Sequence, residues 1–129
     1  MDHEGTELGK LWEEQQALNA RWKAAWEAFK PEPVEDYSFE RNDGSPVKLS
    51  ELFGEHKRLL VIHNMGFHCP YCTLWADGFS GTDYFYHKQG IGFVLSSPDT
   101  PEQQAEGKAK RGWTFPLVSN GANTFAKDM

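Results

Sequence analysis

The 129-residue chain has few cysteines, no long apolar run and no excess of positive charge. Its only cysteines are Cys69 and Cys72. No apolar stretch approaches the roughly 20 residues that span a bilayer, and the N-terminus lacks the basic start and apolar run of a signal peptide. We therefore expect a cytoplasmic protein. In that reducing compartment a Cys-x-x-Cys pair is more typical of catalysis or metal binding than of a structural disulfide bond.

The charge and composition favour a single acidic globular domain. The formal net charge is −6 and the pI is near 5.3, which argues against binding to nucleic acid or to anionic membranes. Apolar residues make up 39% of the chain, with five tryptophans, nine phenylalanines and four tyrosines. This aromatic content is enough for one packed core, whereas the length is too short for two full domains.

Residues 6–30 have the pattern of one long amphipathic helix. Apolar side chains recur three or four residues apart, at Leu8, Leu11, Leu18, Trp22, Ala25 and Phe29. Pro31 and Pro33 end the pattern. We therefore divide the chain into a helix and linker, residues 1–36, and an α/β domain, residues 37–129. The helix either packs on its own domain or serves as a dimerisation arm that reaches a second copy.

The remaining pattern alternates between strands and helices. Residues 37–41 and 47–49 predict a hairpin, and the apolar runs 59–63 and 91–95 predict strands of a largely parallel sheet. We expect the run 59–63 to be buried on both faces.

The segment after the second apolar run predicts a helix and then one more strand. Thr100, Pro101 and Gln103 form an N-terminal capping signal, and Gly112 ends the helix. The run 115–118 contains a proline and predicts a short edge strand.

The cysteine pair has the spacing of a reversible dithiol at a helix N-terminus. Pro70 suits the first helical position, which makes Cys69 the N-cap. Free backbone N–H groups and the helix dipole then lower the pKa of Cys69. Cys72 lies nearly one turn later, within the roughly 4.4–6.8 Å between Cα atoms that a disulfide allows. We expect Cys69 to attack a disulfide and Cys72 to resolve the mixed disulfide.

Two histidines stand close to this pair in sequence. His68 directly precedes Cys69 and, when protonated, would stabilise its thiolate; alternatively it is an exposed loop residue. His63 ends the strand 59–63 and is either a proton carrier for Cys72 or a neutral core histidine.

These motifs resemble the thioredoxin-like superfamily, and more narrowly a family described as predicted dithiol–disulfide oxidoreductases. The likeness includes the turn at 43–44 with 49–53, the run 69–72 followed by 75–79, and the run 112–119. It also includes the N-terminal helix. The resemblance implies a three-layer α/β/α fold with an added N-terminal helix.

The same resemblance implies dithiol–disulfide exchange with a protein or small-molecule substrate and without a cofactor. Pro70 and Tyr71 between the cysteines match glutaredoxins, so a glutathione-linked reaction is an alternative. Thioredoxins have tryptophan at the position of His68 and a buried acid at that of His63. Peroxiredoxins have proline and threonine where this chain has Ile62 and Gly66, which counts against a typical peroxidase.

The likeness also implies elements beyond Met129, namely a cis-proline loop, a strand hairpin and a final helix. Without them the strand that ends at His63 presents an open edge, and open apolar edges invite pairing. We expect either that the sequence is a fragment or that a partner chain, such as a second copy, completes the sheet.

Two other classes of function remain open from the residues alone. A Cys-Pro-x-Cys pair also occurs in zinc knuckles, but structural zinc needs four ligands. His63, His68 or His87 would have to supply the others, at spacings unlike common zinc motifs. The third class is an interaction protein whose fold has lost its activity.

Overall fold

The computed structural model describes residues 3–129. The described chain divides after Val34 into an N-terminal unit and a second unit, Glu35–Met129. The first unit contains one helix, α1 (Glu7–Ala28), as predicted. Thr6 begins it, because the Thr6 hydroxyl accepts from the Gly9 N–H at 3.1 Å. The extended backbone of Phe29 ends it.

The second unit alternates strands and helices around one five-stranded sheet. Its elements are β1 (Ser38–Arg41), β2 (Pro46–Lys48), α2 (Leu49–Leu52), β3 (Arg58–His63), α3 (Pro70–Phe79), α4 (Asp83–Lys88), β4 (Ile91–Ser97), α5 (Pro101–Arg111), β5 (Leu117–Ser119) and α6 (Phe125–Asp128). The strand order is β2-β1-β5-β4-β3. Strands β3, β4 and β5 run parallel, whereas β1 runs antiparallel to both β2 and β5. The sheet is therefore mixed rather than largely parallel.

Apolar side chains cover the sheet on both faces, which gives the three predicted layers. The alternation along β4 shows this, because Val94 belongs to one buried cluster whereas Phe93 and Leu95 belong to another. The first cluster includes Phe125 of α6, and the second includes Ala76 of α3. Helix α3, which begins at the cysteine pair, therefore packs on the face of Phe93 and Leu95.

Strand β5 corrects one prediction, because it lies inside the sheet between β1 and β4 rather than at an edge. Pro116 is compatible with this position since it lies just before the strand. Its carbonyl accepts from the Leu95 N–H at 3.0 Å, and its missing N–H falls outside the ladder.

Strand β3 corrects a second prediction. It pairs with β4 and lies at the edge of the described sheet, so residues 59–62 are half-buried rather than buried on both faces. The open edge expected at this strand is present in residues 3–129.

The capping of α5 confirms the local sequence signals. The Thr100 hydroxyl accepts from the Gln103 N–H at 3.3 Å, and the Gln103 side chain accepts from the Thr100 N–H at 2.9 Å. Gly112 ends the helix with a φ of +68°, in the left-handed region that glycine tolerates. No helix in residues 3–129 is long and apolar enough to cross a membrane.

Candidate active site

The two cysteines lie at the N-terminus of α3 in the predicted arrangement. Cys69 is the N-cap with an extended backbone, and Pro70 is the first helical residue. The Cys72 N–H donates to the Cys69 sulfur at 3.4 Å. Both thiols are free and half-buried. The helix terminus therefore supplies a backbone donor to Cys69, where orphan N–H groups favour negative charge.

The hydrogen bonds between the thiols make the pair electrostatically unequal. The pKa of Cys69 is lowered because the Cys72 thiol donates to it, with help from the backbone N–H groups of Cys72 and Tyr71. The pKa of Cys72 is raised because its thiol bonds to Cys69 and is partly desolvated, although the Met65 N–H opposes this rise. Cys69 is thus the more acidic thiol, and Cys72 retains its proton to higher pH.

The loop between β3 and α3 is held by Asn64. Its side-chain NH₂ donates to the Cys72 carbonyl at 3.1 Å, and its side-chain oxygen accepts from the Gly66 N–H at 2.8 Å. Its backbone N–H donates to the Ser96 carbonyl at 2.9 Å. One residue therefore connects β4, the loop and the cysteine helix through its backbone and its side chain.

Asp99 holds the same loop from the side of α5. Its carboxylate accepts from the Phe67 N–H at 3.2 Å and from the Ser97 hydroxyl at 2.9 Å. Gly66 makes this approach possible, because its φ is +108° and a Cβ there would lie 2.8 Å from an Asp99 oxygen. A side chain at position 66 is therefore opposed both by backbone strain and by contact.

A fully buried glutamine extends this network into the sheet. The NH₂ group of Gln104 donates to the Ser97 hydroxyl and to the Val118 carbonyl, both at 2.9 Å. The chain of contacts runs from β5 through α5 and the end of β4 to the loop before Cys69.

His63 lies at the exposed end of β3, where it stacks on Phe125 with ring centroids 5.2 Å apart. The alternative of a buried core histidine is therefore wrong. His63 shares with Cys72 the lining of an apolar cavity of about 250 Å³, together with Ile62, Asn64, Tyr71, Trp75 and Phe79. Within residues 3–129 no hydrogen bond joins its imidazole to a cysteine, so its role in proton transfer stays a prediction.

His68 is exposed and faces the other side of the loop. It lines a second cavity, of about 440 Å³, with residues of the loop and of α5: Phe67, Asp99, Gln103, Glu106, Gly107 and Lys110. The two histidines thus flank the dithiol on different sides, His63 beside Cys72 and His68 beside α5.

Exposed apolar side chains lie close in sequence to the two cysteines, on the preceding loop and on α3. Tyr71, which lies between the cysteines, is 76% exposed, and Met65, Leu74 and Trp75 are also exposed. Tyr71 and Trp75 line the same cavity as Cys72, so exposed nonpolar surface lies beside this thiol.

Asp77 has a structural partner that its sequence context did not reveal. Its carboxylate accepts from the Trp113 indole N–H at 2.7 Å and lies 3.3 Å from the Arg111 guanidinium. These contacts tie the last turns of α3 to the end of α5.

The described residues bring together no group of three or more histidine, cysteine, aspartate or glutamate side chains that could hold a metal ion. His87 lies on α4 and stacks with His56, with ring centroids 5.2 Å apart. The two histidines beside the dithiol lie on different sides of the loop. This arrangement gives no support to a zinc knuckle.

Comparison with known proteins supports the fold. A family model described as "Bacterial protein of unknown function (DUF899)" matches residues 13–129. No curated protein matches the chain.

Three solved structures share the architecture. Peroxidoxin BcpB from Mycobacterium tuberculosis is 24% identical with a TM-score of 0.66, and the match covers 74% of this chain and 62% of that chain. Peroxiredoxin Q from Xanthomonas campestris is 26% identical with a TM-score of 0.61, over 71% and 58%. A putative protein disulfide isomerase from Bacteroides thetaiotaomicron is 22% identical with a TM-score of 0.57, over 74% and 61%.

These matches confirm the thioredoxin-like α/β fold. In each case the chain spans less than two thirds of the length of the matched structure.

Proposed function

The chain belongs to the family of bacterial proteins of unknown function DUF899, and we propose that it is a thiol–disulfide oxidoreductase that uses Cys69 and Cys72. The observation that carries this proposal is the unequal thiol pair at the start of α3. The Cys69 sulfur accepts hydrogen bonds while the Cys72 thiol donates one. An acidic attacking thiol beside a protonated resolving thiol is what disulfide exchange needs.

In the proposed reaction the Cys69 thiolate attacks one sulfur of a substrate disulfide. A mixed disulfide forms and the other substrate sulfur leaves as a thiolate. Cys72 then loses its proton and attacks the Cys69 sulfur, which closes the Cys69–Cys72 disulfide and releases the second substrate thiol. The substrate gains two electrons and the protein dithiol loses two. A separate thiol or dithiol reductant returns the protein to its reduced form.

His63 is the proposed acceptor of the Cys72 proton. It lines the same cavity as Cys72, and imidazole is the side chain best suited to accept and return a proton near neutral pH. His68 is proposed to support the Cys69 thiolate electrostatically, because it precedes that residue and is exposed.

The proposed substrates are protein or small-molecule disulfides, including those of glutathione. The exposed Tyr71 and Trp75 would contact the nonpolar part of such a substrate. Reduction of a peroxide is a second candidate, favoured by the similarity to peroxidoxin BcpB and peroxiredoxin Q. In that reaction the Cys69 thiolate attacks one peroxide oxygen, the O–O bond breaks, and the other oxygen leaves as water or an alcohol. Cys72 then attacks the Cys69 sulfenic acid, which closes the disulfide and releases water.

A redox titration of the two cysteines tests the proposal. In a glutathione buffer we expect a reversible two-electron transition between about −120 and −270 mV. Cys69→Ser should abolish disulfide reduction, whereas Cys72→Ser should accumulate a mixed disulfide that intact mass detects. Identical behaviour of the two variants would contradict the assigned roles. Stoichiometric zinc without a redox transition would favour the metal-binding alternative.

The pH dependence of alkylation tests the unequal pKa values. Because the Cys72 thiol is the first cause of the lowered Cys69 pKa, Cys72→Ala should move the midpoint of Cys69 alkylation to higher pH. Cys72→Ser retains a hydroxyl donor and is the matched control, with a smaller shift. A midpoint that is equal in the two variants would show that the thiol hydrogen bond does not set the reactivity of Cys69.

A further inference from the structure

We propose that α1 pairs with the α1 of a second copy of this chain as an antiparallel two-helix coiled coil. The starting observation is that α1 contains no buried residue. The large apolar side chains of α1 and of Phe29, the residue that ends it, are 52% to 66% exposed: Leu8, Leu11, Trp12, Leu18, Trp22, Trp26 and Phe29. A contiguous apolar surface of this kind marks an interaction site.

The spacing of these side chains indicates a helical partner. Positions 8, 11, 15, 18, 22, 25 and 29 alternate steps of three and four residues, which is the a/d seam of a heptad repeat. Trp12 and Trp26 lie next to the seam at the e position. Gln15 is the one polar residue of the seam, and a polar side chain at such a position fixes register. A seam of this kind is self-complementary under two-fold symmetry, so a second copy fits it.

The charges of α1 indicate the direction of pairing. Its first half contains three acidic residues and one basic residue, Glu7, Glu13, Glu14 and Lys10, for a net charge of −2. Its second half contains two basic residues and one acidic residue, Arg21, Lys23 and Glu27, for a net charge of +1. An antiparallel pair places each acidic half beside the basic half of the other helix, whereas a parallel pair places halves of the same charge beside each other.

An antiparallel register also fits the sizes of the side chains. With the two-fold axis between Gln15 and Leu18, Leu8 packs on the partner's Ala25 and Leu11 packs on the partner's Trp22. Glu14 then lies beside the partner's Arg21, and this ion pair occurs twice. In a parallel pair Trp22 would instead meet the partner's Trp22, and Glu14 and Arg21 would lie in different layers.

The first experiment measures the oligomeric state of the full chain by sedimentation equilibrium. We expect a dimer that Leu18→Lys converts to monomer, because it places a charge in the seam. Ala17→Lys is the matched control, since it adds the same charge one residue away on the solvent side and should leave the dimer intact. A monomeric parent chain, or a dimer that Leu18→Lys leaves unchanged, overturns the proposal.

The second experiment reads the orientation by exchanging charges. Arg21→Glu alone and Glu14→Arg alone should each weaken the dimer about tenfold, because each creates two like-charge contacts. The double variant Glu14→Arg/Arg21→Glu should return the dissociation constant to that of the parent. A double variant no tighter than the single variants overturns the antiparallel arrangement. Circular dichroism checks that every variant remains helical.

Discussion

The loop between β3 and α3 is held on two flanks that differ in depth and in what they touch. On the thiol flank Asn64 bonds to the Cys72 carbonyl and the Gly66 N–H, close to the exposed end of the sheet. On the other flank, called the buried flank because it ends at a buried residue, the half-buried Asp99 bonds to the Phe67 N–H and, through Ser97, to Gln104. The first flank contacts a cysteine directly, whereas the second contacts the interior of the fold.

This difference suggests that the two flanks contribute to different properties of the loop, namely the stability of the fold and the placement of the Cys72 sulfur. Buried hydrogen bonds are costly to leave unmade, so the buried flank should control the free energy of unfolding. The thiol flank is half-exposed, so losing it costs little stability, but it sets the backbone positions around the Cys72 sulfur. Substitutions on the two flanks should therefore affect different measurements.

The largest effect is expected from Gly66→Ala, where the flanks meet. A Cβ at a φ of +108° is strained and would press on the Asp99 carboxylate, so we expect a loss of about 2 kcal/mol in the free energy of unfolding. Urea denaturation measures it. Gly44→Ala is the control, because its φ is +80° but no other atom lies within 4 Å of its Cβ. Equal losses in the two variants would mean that the Asp99 contact contributes nothing.

Gln104→Met should have the next largest effect and should act on stability alone. The variant keeps the side-chain volume but removes the donors to the Ser97 hydroxyl and the Val118 carbonyl. We expect a loss of about 1–2 kcal/mol in the free energy of unfolding, measured by urea denaturation, and an unchanged midpoint of Cys69 alkylation. A shifted midpoint with unchanged stability would contradict the division between the flanks.

Asn64→Ala should change stability least, by under about 1 kcal/mol, and should act on the thiols instead. It releases the loop whose Met65 N–H favours the Cys72 thiolate, so the Cys72 pKa should rise further. In the Cys69→Ser background, where Cys72 is the only remaining cysteine, the pH midpoint of Cys72 alkylation should therefore move to higher pH.

Asp43→Ala is the matched control for this variant. Asp43 accepts from the N–H two residues later, as Asn64 does, but it lies in the turn between β1 and β2. In the same background it should leave the midpoint of Cys72 alkylation unchanged. Equal midpoints with and without Asn64→Ala would mean that Asn64 does not influence the Cys72 thiol.

Local signals in the sequence predicted those features of the fold that depend on hydrogen bonds between residues close in sequence. The N-cap position of Cys69 and the capping of α5 by Thr100 depend on residues at most three apart, so both could be predicted. The central position of β5 could not be predicted. A proline within an apolar run indicates an edge strand, and the sequence does not show that Pro116 lies just before the hydrogen-bonded part of β5.

The same limit explains what was missed at the site. Asp99 meets the Phe67 N–H across 32 residues, and Asp77 meets Trp113 across 36. Such pairs depend on how helices and strands are assembled, which a single sequence does not encode locally. Asn64 did offer a signal, since an asparagine two residues before a glycine favours a turn in which its side chain accepts from the later N–H.

The burial of Trp113 has an optical consequence. It is 5% exposed and stacks on Phe67, with ring centroids 5.2 Å apart, whereas the other four tryptophans are each more than 60% exposed. In the Leu18→Lys variant, in which the tryptophans of α1 stay exposed, iodide should therefore quench most of the indole emission. The remaining emission of Trp113 would then follow the loop beside the cysteines.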